Sequence, residues 1–225
     1  MSDQIEYATL EWRDGKIPIA LRFDDPYFSL DNGMAETEFV FLGGNDLPAR
    51  FAPEFHVAEL GFGSGLNLLC TWKAWLDAGQ TTPLKYTSFE AFPMSPADMA
   101  LAQSAWPELA QHADMFAQIW DADTGVAQSE TLDVQVISGD ARETLAAWDG
   151  AADAWFLDGF SPAKNPELWG ADLMAEVGKH TAPNGTFATY TAAGHVRQSL
   201  AEAGFTVERI KGFGRKRHMT RGVLA

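Results

Sequence analysis

Residues 5–21 alternate between apolar and polar positions, with Asp14-Gly15 between two strand-like runs. That dipeptide between such runs predicts a tight β-hairpin. Residues 22–53 are rich in Asp, Asn, Gly and Pro, and only an acidic stretch around Glu36–Phe41 reads as helical. From residue 55 the rhythm changes. FHVAEL (55–60), LKYTSFE (84–90), LDVQVIS (132–138), DAWFLD (153–158) and GTFATYT (185–191) have the short, apolar character of buried strands. Between them, Leu66–Leu76, residues 96–118, Ala141–Trp148, Pro166–Lys179 and Ala193–Ala203 read as helices; Leu69, Trp72 and Leu76 share a face of the first. FTVERI (205–210) and HMTRGVLA (218–225) are two more strands, joined by GFGRKR.

Strand–helix alternation of this kind predicts a parallel sheet with helices on both faces. The last connection is too short for a crossover helix, so the final strand must run antiparallel. The expected fold is therefore α/β: a mostly parallel seven-stranded sheet with an antiparallel C-terminal strand, plus an N-terminal β-hairpin extension. That is the Rossmann-like layout of class I S-adenosylmethionine-dependent methyltransferases. In such sheets ligands bind beyond the carboxyl ends of the strands.

Composition narrows the setting. The chain has 225 residues, 46% hydrophobic and 21% charged, which suits a globular domain with a sizeable core. One cysteine, Cys70, excludes an internal disulfide and a cysteine-built zinc site. Five histidines (56, 112, 180, 195, 218) show no close pair suited to metal binding, and His56 and His195 read as structural. No apolar run approaches membrane-spanning length and the N-terminus has no secretory pattern, so a cytoplasmic protein is expected. The net charge of −15 is unevenly spread. Residues 197–225 hold seven basic and two acidic residues, a net +5, against −20 for the first 196. The basic end is either a local phosphate-binding patch or a solvated hairpin.

The strand-to-loop junctions carry the candidate chemistry. In VAELGFGSGLNLL, a strand ends near Leu60, Gly61, Gly63 and Gly65 follow, and a helix opens at Leu66. Glycines permit positive φ and leave room for a ligand, while the helix start offers free N–H groups. A dinucleotide site prefers G-x-G-x-x-G, which would place a glycine where Leu66 stands. With Glu59 before it, the run E-x-G-x-G-x-G suits a methionine-bearing nucleoside instead. Glu90 ends the second strand, where an acid can accept from a ribose diol, although its offset of 29 residues from Gly61 exceeds the usual twenty or so. Asp140 follows the third strand and can accept from an adenine amino group, cap the helix at Ala141, or both.

At the fourth junction, DAWFLDGFSPAKNPELW, a buried strand delivers Asp158 to the sheet rim. A carboxylate there can hold a substrate amine and take up a proton. A carboxyl with the reference pKa of about 3.9 is a poor base for an alkylammonium, so orienting the amine is the expected role. Phe160 can stack on a base, Lys164 can meet a phosphate and Asn165 can cap the following helix; ordinary packing is the alternative for Phe160 and Trp169.

FDDPYFSLDNGMAETEFVFLGGNDLPARF, ELGFGSGLNLL, LDGFSPAKNPELW and KGFGRKRHM closely resemble the methyltransferase domain of MnmC, the bifunctional enzymes that modify the tRNA wobble uridine. The resemblance runs in the same order from about residue 5 to residue 222. It implies a stand-alone, MnmD-like form, with residues 1–53 as hairpin and cofactor-covering segment and 54–225 as methyltransferase domain. The implied reaction moves a methyl group from S-adenosylmethionine to the exocyclic amine of 5-aminomethyl-2-thiouridine. The implied partners are the tRNA anticodon loop and a separate FAD-dependent oxidase acting upstream, with no metal. The resemblance also places FDDPYFS (23–29) over the cofactor pocket, so Asp25 and Tyr27 become candidates for the cofactor wall and Phe28 for the acceptor wall. Asn67 becomes a candidate for the methionine carboxylate, and Arg215, Lys216 and Arg217 for the tRNA backbone. Two other classes compete. An aminopropyltransferase of the spermidine-synthase kind suits the acidic body but not the basic end. A non-catalytic tRNA-binding module sits poorly with an intact Gly61, Gly63, Gly65 and Asp158.

Overall fold

The structure is a computed structural model that describes residues 6–15, 17–28 and 32–225. Ile5 of the hairpin run and Ser29 of FDDPYFS lie outside the described residues. The predicted hairpin is present: β1 (Leu10–Arg13) and β2 (Ile17–Ala20) pair antiparallel, with Arg13 opposite Ile17. Asp14 and Gly15, in the turn between them, have positive φ values of 53° and 66°. A short β3 (Asp25–Pro26) pairs with β2, so the extension is a three-stranded sheet.

The main sheet has nine strands among the described residues, two more than expected. Five form the parallel centre: β4 (His56–Leu60), β5 (Leu84–Glu90), β8 (Leu132–Ser138), β9 (Ala152–Leu157) and β10 (Thr181–Thr189). β11 (Phe205–Lys211) and β12 (His218–Leu224) close one edge, with β12 inserted antiparallel between β10 and β11. The additional strands, β6 (Trp120–Asp121) and β7 (Val126–Gln128), extend the other edge antiparallel beside β8. They are two and three residues long, too short for an alternation to register.

Alternation on the central strands divides the core in two. Val57 points into a layer with Trp72 and Trp75 of α2 (Leu66–Asp77), Phe116 of α4 (Ala110–Ile119) and Phe156. Ala58 points the other way, into a layer with Trp155, Met174 of α6 (Ala171–Lys179) and Leu200 of α7 (Gly194–Glu202). Residues 33–45 fold as α1 (Gly33–Thr37), a π turn (Glu38–Leu42) and a 3-10 turn (Gly43–Asn45), and bury Val40, Phe41 and Leu42 in the first layer.

Three predicted helices are shorter than read. The 96–118 stretch breaks into α3 (Pro96–Gln103), a 3-10 turn (Pro107–Leu109) and α4, because Pro107 holds Trp106 out of the helical region. α5 keeps only Ala141–Thr144 of its predicted span. Extended backbone at Gly170 separates a 3-10 turn (Pro166–Trp169) from α6. Conversely, β10 starts at Thr181 rather than 185, through a register shift that holds Asn184 at φ 61°.

Strand order reverses at β4, which has β5 on one side and β9 on the other. Such a switch point opens a crevice beyond the carboxyl ends of the strands. Leu60, Glu90, Ser138, Leu157 and Thr189 end the five parallel strands on that rim.

Candidate active site

A cavity of 890 Å³ occupies the crevice. At its first junction, Gly61, Gly63 and Gly65 all have positive φ, at 84°, 53° and 74°. A Cβ on Gly61 would lie 3.1 Å from the Gly159 Cα, so the loops after β4 and β9 meet backbone to backbone. A Cβ on Gly63 would lie 3.1 Å from Tyr27 Cδ1. Gly61 and Gly63 face the cavity, whereas Gly65 sits behind it as the left-handed N-cap of α2. The Gly63 N–H donates to Glu90 Oε2 at 3.0 Å, and the Phe92 N–H to Oε1 at 2.8 Å. Burial pushes the Glu90 carboxyl up from its ordinary value, and these backbone donors pull it back.

Glu59 does not reach the cavity; it is fully buried beneath it. Its oxygens accept from Asn67 Nδ2 and Ser88 Oγ, both at 2.8 Å. The Asn67 amide also donates to Asp158 Oδ2 at 2.8 Å, and its oxygen accepts from Thr37 Oγ1 at 2.8 Å. Both of its N–H donors are therefore taken by carboxylates, leaving none for a ligand carboxylate. The residue expected to meet a methionine carboxylate is instead the bridge that positions Asp158. The second Asp158 oxygen accepts from the Gly159 N–H at 2.8 Å. Burial pushes the Asp158 carboxyl up to about 6, against the pull of the Asn67 and Gly159 donors. Burial likewise raises Glu59 well above its ordinary value.

Asn67→Ala would leave two carboxyls without their shared donor. The expected cost is about 1–3 kcal/mol, read as a lower thermal midpoint. Because the lost hydrogen bond favours the ionised form, the Asp158 pKa should rise further, moving the acidic limb of the pH–rate profile upward. An unshifted limb would mean that Asn67 does not act through Asp158.

Asp140 caps α5, accepting from the Arg142 N–H at 2.9 Å, and also pairs with the Arg142 guanidinium. That guanidinium holds its pKa below the ordinary value. Both residues line the cavity.

The 23–28 segment clasps the loop after β9. Phe160 stacks on Phe23 with centroids 4.6 Å apart and meets Tyr27 edge-on at 5.0 Å. Asp25 Oδ2 accepts from the Ser161 N–H at 3.1 Å, and Lys164 pairs with Asp24 at 2.7 Å. Phe28 packs on Trp106 at 4.5 Å. One face of Phe160 is thus covered, and Lys164 is engaged within the protein. Trp169 is buried, with its indole N–H donating to the Phe160 carbonyl at 2.9 Å. His56 is structural: its backbone N–H donates to Asp153 and its Nε2 meets Thr87 Oγ1 at 2.9 Å.

The basic turn after β11 divides. Arg215 and Arg217 are exposed and make no ion pair among the described residues. Lys216, exposed as well, reaches over the cavity and pairs with Glu36 at 2.7 Å, 4.3 Å above the Tyr190 ring. Tyr190 follows β10 and donates its hydroxyl to the Gly159 carbonyl at 2.8 Å. The sequence reading passed over Glu36 and Tyr190. Tyr190 lies at the carboxyl end of a parallel strand, and the junction rule applied to β10 would have found it. Glu36 has no local signal.

A family profile described as S-adenosyl-L-methionine-dependent methyltransferase matches residues 106–225. The chain belongs to this family. The crystal structure of MNMC2 from Aquifex aeolicus is similar at 26% identity and a TM-score of 0.76, covering 99% of this chain and 72% of that one. The resemblance to the MnmC methyltransferase domain, read from the motifs, is thereby borne out. Two further structures share the fold. Precorrin-6y C5,15-methyltransferase from Geobacter metallireducens has a TM-score of 0.52 and 12% identity over 96% of this chain and 100% of its own. Streptomyces venezuelae DesVI has a TM-score of 0.50 and 12% identity over 85% and 92%.

S-adenosylmethionine is the cofactor of this methyltransferase. The residues present suit it: two glycines without side chains at the cavity wall, and carboxylates at the ends of β5 and β8 to accept from hydroxyl and amino groups. Among the described residues, no helix is long and apolar enough to cross a membrane.

Proposed function

We propose that this enzyme methylates the exocyclic amine of 5-aminomethyl-2-thiouridine at the tRNA wobble position, giving 5-methylaminomethyl-2-thiouridine. The observation that carries this reading is the Asn67–Asp158 pair. It fixes a carboxylate with a pKa near 6 at the meeting point of the glycine loop and the aromatic wall. In this reading Gly61, Gly63, Glu90 and Asp140 hold the cofactor, with Tyr27 and Asp25 closing over it. Glu59 and Gly65 serve from behind the wall. Phe28, Phe160 and Lys164 belong to the acceptor side.

The bound cofactor supplies an electrophilic methyl group. Asp158 orients the amine by accepting its N–H, and its raised pKa makes it a better proton acceptor than an ordinary carboxylate. Phe160 and Tyr27 wall the site beside Asp158, and the main demand of the reaction is alignment of the amine with the methyl group. In the same reading a separate FAD-dependent oxidase supplies the aminomethyl precursor, and the setting is the cytoplasm. The test is incubation with methyl-labelled S-adenosylmethionine and tRNA bearing a 5-aminomethyl wobble uridine. Label in the tRNA is expected, and its absence from both thiolated and unthiolated substrates overturns the reading.

Arg215 and Arg217 meet the tRNA backbone in this proposal. A phosphate contact gives a salt dependence of about 0.7 log units per charge on single strands. Replacing both arginines by alanine should flatten the log–log slope by about 1.4 units and leave cofactor affinity unchanged. A wild-type slope would make them solvated turn charges.

A further inference from the structure

We propose that Glu36, Asp158 and the ring face of Tyr190 form the subsite that receives the acceptor's primary ammonium, and that the Lys216 side chain occupies it as a placeholder until the acceptor arrives. This deepens the wobble-uridine reading and rests on it for the identity of the acceptor.

The geometry already contains an ammonium group in this position. Lys216 Nζ stands 2.7 Å from Glu36 Oε1 and 4.3 Å above the Tyr190 ring, and both partners line the same cavity as Asp158. A carboxylate on one side and an aromatic face on the other are what an alkylammonium ligand requires. Tyr190 is fixed, since its hydroxyl is tied to the Gly159 carbonyl beside Asp158. The two ion-pair partners differ in freedom: the Glu36 side chain is 13% exposed and the Lys216 side chain 47%. Lysine is the partner able to leave. Exchanging its ammonium for that of the acceptor preserves the charge balance around Glu36 and Asp158. Glu36 raises the Asp158 pKa and Lys216 lowers it, so both act on the same carboxylate.

The position of Lys216 in the chain gives it somewhere to go. It sits between the exposed Arg215 and Arg217, on the turn proposed to meet the tRNA backbone. A phosphate arriving there competes with Glu36 for the same ammonium. The alternative is a plain structural tie between this turn and α1, and the two predict opposite effects of removing the lysine.

The experiment is calorimetry on the full chain saturated with S-adenosylhomocysteine, using 5-aminomethyluridine and its uncharged relative 5-hydroxymethyluridine. Lys216→Met is expected to tighten binding of the aminomethyl nucleoside by about fivefold or more and leave the hydroxymethyl one unchanged, since a competing occupant is removed. Lys216→Arg, which keeps the cation, should show no such gain. Glu36→Gln should abolish the preference for the amine. Thermal midpoints and S-adenosylhomocysteine affinity check that the variants are folded. Aminomethyl affinity that is unchanged, weaker or undetectable in Lys216→Met overturns the proposal, as does a preference retained in Glu36→Gln. Wild-type turnover on aminomethyl tRNA is measured alongside. Turnover without the Lys216→Met gain removes the placeholder alone, whereas an ammonium preference without turnover removes the wobble-uridine reading instead.

Discussion

Asp158→Ala is expected to lower turnover by about 100-fold or more while leaving tRNA affinity within about twofold, the pattern of a group that acts mainly in the transition state. The alanine cannot accept the amine's N–H, and it leaves one Asn67 donor unused. Wild-type kcat should also fall with pH in a defined window. Asp158 must be ionised to accept, and its pKa stands raised to about 6. The Asp158 ionisation then gives an acidic limb on which activity falls roughly tenfold per unit below about pH 6. Equal losses in rate and tRNA affinity would make Asp158 a general binding residue. Near-normal turnover would remove it from the chemistry.

Gly63→Val should abolish cofactor binding, with an affinity loss of about 100-fold or more, equivalent to about 2.7 kcal/mol. Three effects combine. The backbone at φ 53° is strained for a β-branched residue. The new Cβ crowds Tyr27, only 3.1 Å away. Any relaxation pulls the Gly63 N–H away from Glu90, which it holds at 3.0 Å. The distant core layers are untouched, so the variant should remain folded. Unchanged cofactor affinity by calorimetry would remove the glycine loop from the site.

What could be read from the chain depended on the range of the interaction responsible. Long central strands such as β5 and β8 are visible because their local apolar pattern and their burial coincide. Asp158 and the glycine run are visible because strand ends in a parallel sheet converge on one rim. The bridging role of Asn67 is different: it joins carboxylates 8 and 91 residues away, and no local pattern records that. Lys216 reads as one of three cations in a basic turn, yet it pairs with a glutamate 180 residues earlier, while Arg215 and Arg217 make no ion pair among the described residues. Lys164 likewise looks free for a phosphate but finds Asp24. For both lysines the deciding partner, Glu36 or Asp24, is brought in by the fold of residues 22–45, the segment with the weakest periodic signal.

The most direct test of the proposed reaction is mass spectrometry of the nucleosides from aminomethyl-bearing tRNA after incubation with the protein and methyl-labelled S-adenosylmethionine. 5-Aminomethyl-2-thiouridine is expected to be consumed and one labelled methyl to appear on its exocyclic nitrogen, with no label on any other nucleoside. Label on a different nucleoside, or an unchanged 5-aminomethyl-2-thiouridine peak from protein that demonstrably binds the cofactor, would contradict that reaction.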